Sequence, residues 1–159
     1  MNKFLRIFIT VCAIIIGVYS AYQGIKQIVG TPSHRSAMSY IDQIGPISQK
    51  TANVMNGVAP FLNNPNASPQ EVLSKVSEAK RNLETLNKET AAIQPPEKMA
   101  GLHEQFKQAM NNYVKAFSLT ETGLKNNNDA QLSEAGNLLT QGANQMQTVS
   151  KEIVELSKR

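Results

Sequence analysis

Two hydrophobic patterns follow one another along this chain. From Ile7 to Tyr22 there is no charged residue, whereas beyond residue 32 apolar side chains recur every three or four positions. The first pattern suits a helix surrounded by lipid. With Phe4 and Leu5 before it, the stretch approaches the ~20 apolar residues that span a bilayer. Phe8, Ile9, Val11, Ile14, Ile15, Ile16 and Val18 form the body of this expected membrane anchor, and Tyr19 and Tyr22 suit the interface. Lys3 and Arg6 favour a cytoplasmic N-terminus; Lys26 and Arg35 on the far side weaken that bias without reversing it.

The expectation is a signal anchor that stays in the membrane. Two alternatives stand beside it. One is a signal peptide cut after Ser20, because Val18-Tyr19-Ser20 is a passable site before Ala21. The other is a buried soluble helix. A lipoprotein is disfavoured, since Val11 precedes Cys12 and the cysteine sits in mid-segment. A pilin-like helix is disfavoured because no acid occurs before Asp42.

The second pattern predicts helices over about 32–62, 69–93, 96–125 and 129–157. Thr31 and Pro32 form a start signal after Gly30, which makes a hinge between anchor and bundle. The first stripe is Ala37, Ile41, Ile44, Ile47, Val54, Val58 and Phe61, with Pro46 expected to kink or split the helix and Pro60 to end it. Ser68-Pro69-Gln70-Glu71 is a capping signal for the second helix, whose stripe is Val72, Val76, Ala79, Leu83, Leu86, Thr90 and Ile93. Met99, Leu102, Phe106, Met110, Tyr113, Phe117, Thr120 and Leu124 line the third. Leu132, Ala135, Leu139, Gly142, Met146, Val149, Ile153 and Leu156 line the fourth. A period near 3.5 with short polar loops predicts an all-α fold: an elongated antiparallel bundle of about four helices (residues 31–159) behind an N-terminal transmembrane helix (residues 1–30). Ala135 and Gly142 mark where helices should lie close together. Leu73, Val114, Leu119, Leu138 and Val154 lie off the stripes and either widen the core face or make a second contact surface.

Charge changes the picture by removal. The chain has 16 Lys+Arg and 12 Asp+Glu; Lys3, Arg6 and Lys26 lie in the first 30 residues, which hold no acid, so 13 bases face 12 acids in the rest. A near-neutral bundle lacks the basic face that nucleic-acid binding requires. Abundant Asn and Gln and few β-formers beyond the anchor agree with helix. Cys12 is the single cysteine, so no disulfide forms within the chain, as suits a bacterial envelope protein.

Candidate chemistry is sparse. His103 has no second histidine within two turns, and His34 is far away in sequence, so it reads as a helix-flank residue. Glu78 with Arg81 and Glu84 with Lys88 suit a solvated helix face. Met99, Met110 and Met146 read as core filler. Asn66-Ala67-Ser68 matches a glycosylation acceptor, but Ser68 and Pro69 are better explained as a helix start. No phosphate loop, nucleophile elbow or metal-ligand spacing is present, and no catalytic residue, metal ligand or cofactor is expected.

The run Pro95-Pro96-Glu97-Lys98-Met99-Ala100-Gly101-Leu102-His103 with Tyr113, Ala116 and Phe117 is similar to a recurrent pattern, as is Asp129 with Leu132, Ala135, Leu139 and Gly142. Over roughly residues 70–159 the chain resembles helical domains of membrane-anchored or lipid-anchored envelope proteins of Gram-positive bacteria. The missing lipobox departs from the lipid-anchored members. The resemblance implies an envelope location and no particular activity. The expected function is therefore a membrane-tethered, non-enzymatic interaction or scaffold protein, single-pass, with its C-terminal domain extracytoplasmic. Its expected partners are the bilayer, another envelope protein and, as an option, a second copy of itself. The alternatives are a small-molecule-binding or sensory ectodomain acting through a partner membrane protein, or a secreted helical domain if the segment is cleaved.

Overall fold

The computed structural model describes residues 32–64 and 66–157, with side chains over 38–64 and 66–155. It contains four helices: α1 (Pro32–Asn63), α2 (Pro69–Ala92), α3 (Ala100–Asn126) and α4 (Asp129–Ser157). A 3-10 turn, Glu97–Met99, leads into α3, and no strand occurs among the described residues. The anchor residues Phe8, Ile9, Val11, Ile14, Ile15, Ile16 and Val18 and the hinge at Gly30-Thr31 lie outside the described residues, as do the side chains of Ala37 and Leu156. Among the described residues no helix is long and apolar enough to cross a membrane.

Local chemistry sets the helix ends. Ser68 adopts an extended backbone, and its Oγ accepts a hydrogen bond from the Glu71 N–H at 3.1 Å, satisfying one of the donors a helix start leaves open. Pro69 fills the first helical position, where a missing N–H does no harm. Between α3 and α4, Asn127 takes the left-handed conformation (φ 49°) that usually falls to glycine. The Asn128 N–H then closes onto the Gly123 carbonyl at 2.8 Å. Asn128 also starts α4, its Oδ1 accepting from the Gln131 N–H at 3.1 Å.

Two expectations about α1 are corrected. Pro60 does not end the helix, which runs on to Asn63, and Pro46 does not split it. Both prolines are exposed, whereas Ile44, Ile47 and Val58 are buried. Each missing N–H therefore falls on the solvent face, where water can serve the freed carbonyl, and packing on the opposite face holds the helix continuous.

Pairs across the seams show the helices to be antiparallel. Lys50 meets Glu89 and Phe61 meets Lys75 between α1 and α2; Lys80 meets Glu121 and Asn87 meets Asn111 between α2 and α3; Gln105 meets Glu152 and Asn112 meets Gln145 between α3 and α4. In each seam residue numbers rise on one helix as they fall on the other. The close backbone approaches are those of sequence neighbours, α1 with α2, α2 with α3 and α3 with α4. Side chains of α1 also reach α3, through Tyr40 to His103 and Thr51 to Met110.

The predicted stripes form the core. Ile41, Ile44, Val76, Leu83, Leu86, Phe106, Met110, Tyr113, Leu139, Met146 and Val149 are buried, while Val54, Val72, Ile93 and Leu124 are half-buried and packed against them. Val114, Leu119, Leu138 and Val154 pack there too, so these off-stripe residues widen the core face; Leu73 is half-buried outside that cluster. Where Gly142 passes α3, an added Cβ would stand 2.6 Å from Tyr113 Cε1. Tyr40, Met55, Ala109, Ala116 and Ala143 are buried without belonging to the predicted stripes.

Candidate functional site

The three seams differ in how their polar side chains are used. The α2–α3 seam is bridged by Ser77 and Lys80, which donate to Glu121 at 2.8 and 2.7 Å, and by Asn87 donating to Asn111 at 2.8 Å. The α3–α4 seam carries a relay in which Asn112 donates to Gln145 at 3.0 Å and Gln145 to Gln108 at 3.1 Å. Across the α1–α2 seam the described residues make the exposed Lys50–Glu89 pair at 3.4 Å and set Lys75 over the Phe61 ring, 5.6 Å from its centre. Asn53 and Asn82, on opposite walls of that seam, have no side-chain partner among the described residues.

That seam is also hollow. Two adjoining cavities of about 220 and 360 Å³ share Asn53, Val54 and Asn82. Val58 and Ala79 floor the first, Val54 and Leu86 the second, and Thr85 joins the wall of the second. The spacing that builds the walls is helical: Lys50, Asn53 and Gly57 share one face of α1, and Glu78, Asn82, Thr85 and Glu89 one face of α2. Gly57 lies in the interior of α1, where glycine disfavours helix by ~1 kcal/mol relative to alanine. No packing requires it, since a Cβ there would meet nothing within 4 Å. Its effect is to leave the rim of the hollow open. A larger hollow of about 540 Å³ between α3 and α4 is walled by Lys98, Lys151 and Glu155, and Gln105 crosses it to reach Glu152 at 3.3 Å.

Two further polar clusters are structural in character. His103 is not the helix-flank residue its sequence context suggests; it is 5% exposed. The Tyr40 hydroxyl lies 3.1 Å from His103 Nδ1, with the rings edge-on at 81°. Burial raises the Tyr40 pKa above its ordinary range, and burial followed by the Lys107 charge lowers that of His103 despite the opposing Glu104. Both groups are therefore neutral, and the hydrogen bond joins a phenol to an imidazole nitrogen, with the histidine tautomer setting which of the two donates. Glu121, its side chain 12% exposed, accepts from Lys125 at 2.8 Å as well as from Ser77 and Lys80. The hydrogen bonds from Lys125, Lys80 and Ser77, in that order, hold its carboxyl down at about 2.

The surface ion pairs are rearranged relative to expectation. Glu78 pairs with Lys75 at 3.0 Å instead of with Arg81, and Glu104 pairs with Lys107 at 2.9 Å. Met99, Met110 and Met146 are buried. Asn66 lies in the turn before α2, and Ser68 is engaged as its cap. No group of three or more His, Cys, Asp or Glu side chains is gathered in metal-binding fashion among the described residues.

Sequence reasoning overlooked Asn53, Gly57 and Asn82. One signal was available: from Thr51 to Gln70 the chain has no charged residue, while α2 from Glu71 to Glu89 is densely charged. Comparison with protein families, with characterised proteins and with solved structures finds no match to this chain.

Proposed function

We propose that this chain is a membrane-tethered interaction protein of the cell envelope with no reaction of its own. In this reading residues 7–22 hold it in the bilayer with its N-terminus cytoplasmic, and the bundle meets another envelope protein on the outer side. The observation that supports interaction is the hollow α1–α2 seam, where Asn53 and Asn82 are exposed with no side-chain partner among the described residues, while Asn87–Asn111 and Asn112–Gln145 bridge the other two seams. The uncharged stretch from Ile7 to Tyr22, flanked by Lys3 and Arg6, supports the tether.

Photo-reactive residues placed at positions 53 and 82 should crosslink to one discrete partner in intact cells, and one at exposed Lys115 on α3 should not. Equal labelling at all three positions, or none, contradicts the reading. Protease added to spheroplasts should remove the bundle and spare the anchor; full protection contradicts the topology. The hollows also favour a second reading, a small-molecule-binding ectodomain. That reading requires an envelope metabolite to raise the melting temperature of the purified chain with no protein partner present.

A further inference from the structure

We propose that the first part of α1, residues 32–45, is a hinged arm that the Tyr40–His103 contact latches onto α3 and that acid releases while the rest of the bundle stays folded. The inference rests on the packing of α1 and needs neither the membrane tether nor a partner.

The register of the helices makes the arm distinct. Lys50 is level with Glu89, and α2 ends three residues later at Ala92. The end of α2 is therefore level with about Ile47, and Tyr40 stands roughly 10 Å further out at 1.5 Å per residue. Beyond Ile47 the arm has left its neighbour in the sequence and is held from elsewhere. Tyr40, Ile41 and Ile44 are nevertheless buried, and the Tyr40 hydroxyl meets His103 Nδ1 on α3 at 3.1 Å.

The hinge lies where the arm parts from α2. Pro46 has no N–H to give the Asp42 carbonyl, and it disfavours helix at the residue before it, here the poor helix former Gly45. Packing keeps α1 continuous through this point, so an arm that lost its packing would bend there. Past the hinge α1 keeps other holds: Lys50 to Glu89, Thr51 to Met110 and Phe61 to Lys75.

The latch can be charged but not neutralised. An imidazolium has two N–H donors and asks for an anion or water. From α1 it meets Tyr40, whose phenol burial keeps protonated. On α3 Glu104 and Lys107 are the charges that act on the ring among the described residues, and they are paired with each other at 2.9 Å. On α4 Glu152 is taken by Gln105, and on the turn before α3 Glu97 and Lys98 are exposed. A buried charge with no counter-ion is costly, and lifting the arm lets water reach the ring. Burial, then Lys107, already lowers the His103 pKa, so the latch holds at neutral pH and lets go as pH falls through that lowered value, below 6.5.

The test is hydrogen exchange of the full chain in lipid nanodiscs from pH 7.5 to 4.5, corrected for the intrinsic pH dependence of exchange. Protection of the amides of residues 40–45 should fall at least ten-fold on the acid side, while that of residues 51–63, α3 and α4 changes less than three-fold. The ring signal of His103, told from that of His34 by His34→Gln, should titrate with the same midpoint. His103→Gln, which keeps a hydrogen-bonding partner for Tyr40 and cannot charge, should hold the arm at every pH. Constant protection of residues 40–45, loss of protection in all four helices together, a midpoint apart from that of the ring, or acid release that persists in His103→Gln would each overturn the proposal. The parent chain alone decides the first three, so a variant that fails to fold does not shelter it.

Discussion

Gly142→Ala isolates the closest approach between α3 and α4. The new methyl carbon would lie 2.6 Å from Tyr113 Cε1, 3.0 Å from Cδ1 and 3.1 Å from Cζ. Tyr113 is 0% exposed, so its ring has no solvent to swing into, and the helices must part instead. Two effects oppose each other. Replacing glycine in a helix interior favours folding by about 1 kcal/mol. Overpacking a filled core costs typically about 1–3 kcal/mol. The net effect is destabilisation of up to about 2 kcal/mol. Gly57→Ala supplies the control, because the propensity gain is the same and the added methyl meets nothing within 4 Å. That variant should be stabilised by about 1 kcal/mol. The difference between the two variants is the steric contribution alone, about 1–3 kcal/mol. Urea unfolding followed by circular dichroism at 222 nm reads it. With a slope of about 2 kcal/mol per molar urea, the two midpoints should differ by roughly 0.5–1.5 M. If both variants gain equally, Gly142 does not face a closed Tyr113 ring and the α3–α4 packing described above is wrong.

Glu121→Gln should lower stability by about 1–3 kcal/mol, because Ser77, Lys80 and Lys125 lose a charged acceptor. The carboxyl sits near 2 in the fold, below its ordinary value, so its contribution is complete above about pH 4.5 and fades as pH falls toward 2. Urea midpoints at pH 6 and pH 3 should show a smaller acid-side decline in the variant than in the parent chain. Tyr40→Phe leaves His103 Nδ1 buried without its hydrogen-bond partner and should cost about 1–3 kcal/mol. His103 titrates below its ordinary value in the fold, so stability from its neutral form is complete above about 6.5 and is lost as pH falls through the lower folded value. His103→Leu should flatten that slope, and an unchanged slope would place the histidine outside the core.

The helix boundaries were readable because their chemistry is local. Ser68 with Pro69 and the Asn127-Asn128 turn act within a few residues, and a linear sequence displays them. The stripes were readable because the helical period is. The continuity of α1 through Pro46 and Pro60 was not, since it depends on which side of the helix faces solvent once its neighbours have packed. His103 was misjudged for the same reason: its partner Tyr40 stands 63 positions away. The hollow of the α1–α2 seam was the least legible feature. Asn53 and Asn82 are exposed amides, and only the folded pair of helices sets them on facing walls of one hollow.

The up-and-down order of the helices has a mechanical consequence. An even number of passes brings the start of α1 and the end of α4 to the same end of the bundle. A load between those two points peels helices apart a few contacts at a time. A load between the start of α1 and the start of α2, at opposite ends of the bundle, pulls lengthwise, and the contacts of α1 along that path, from Tyr40 and Ile44 to Thr51, carry it together. The same fold is therefore weak in one direction of pull and strong in the other, and the α1–α2 seam lies on the strong one.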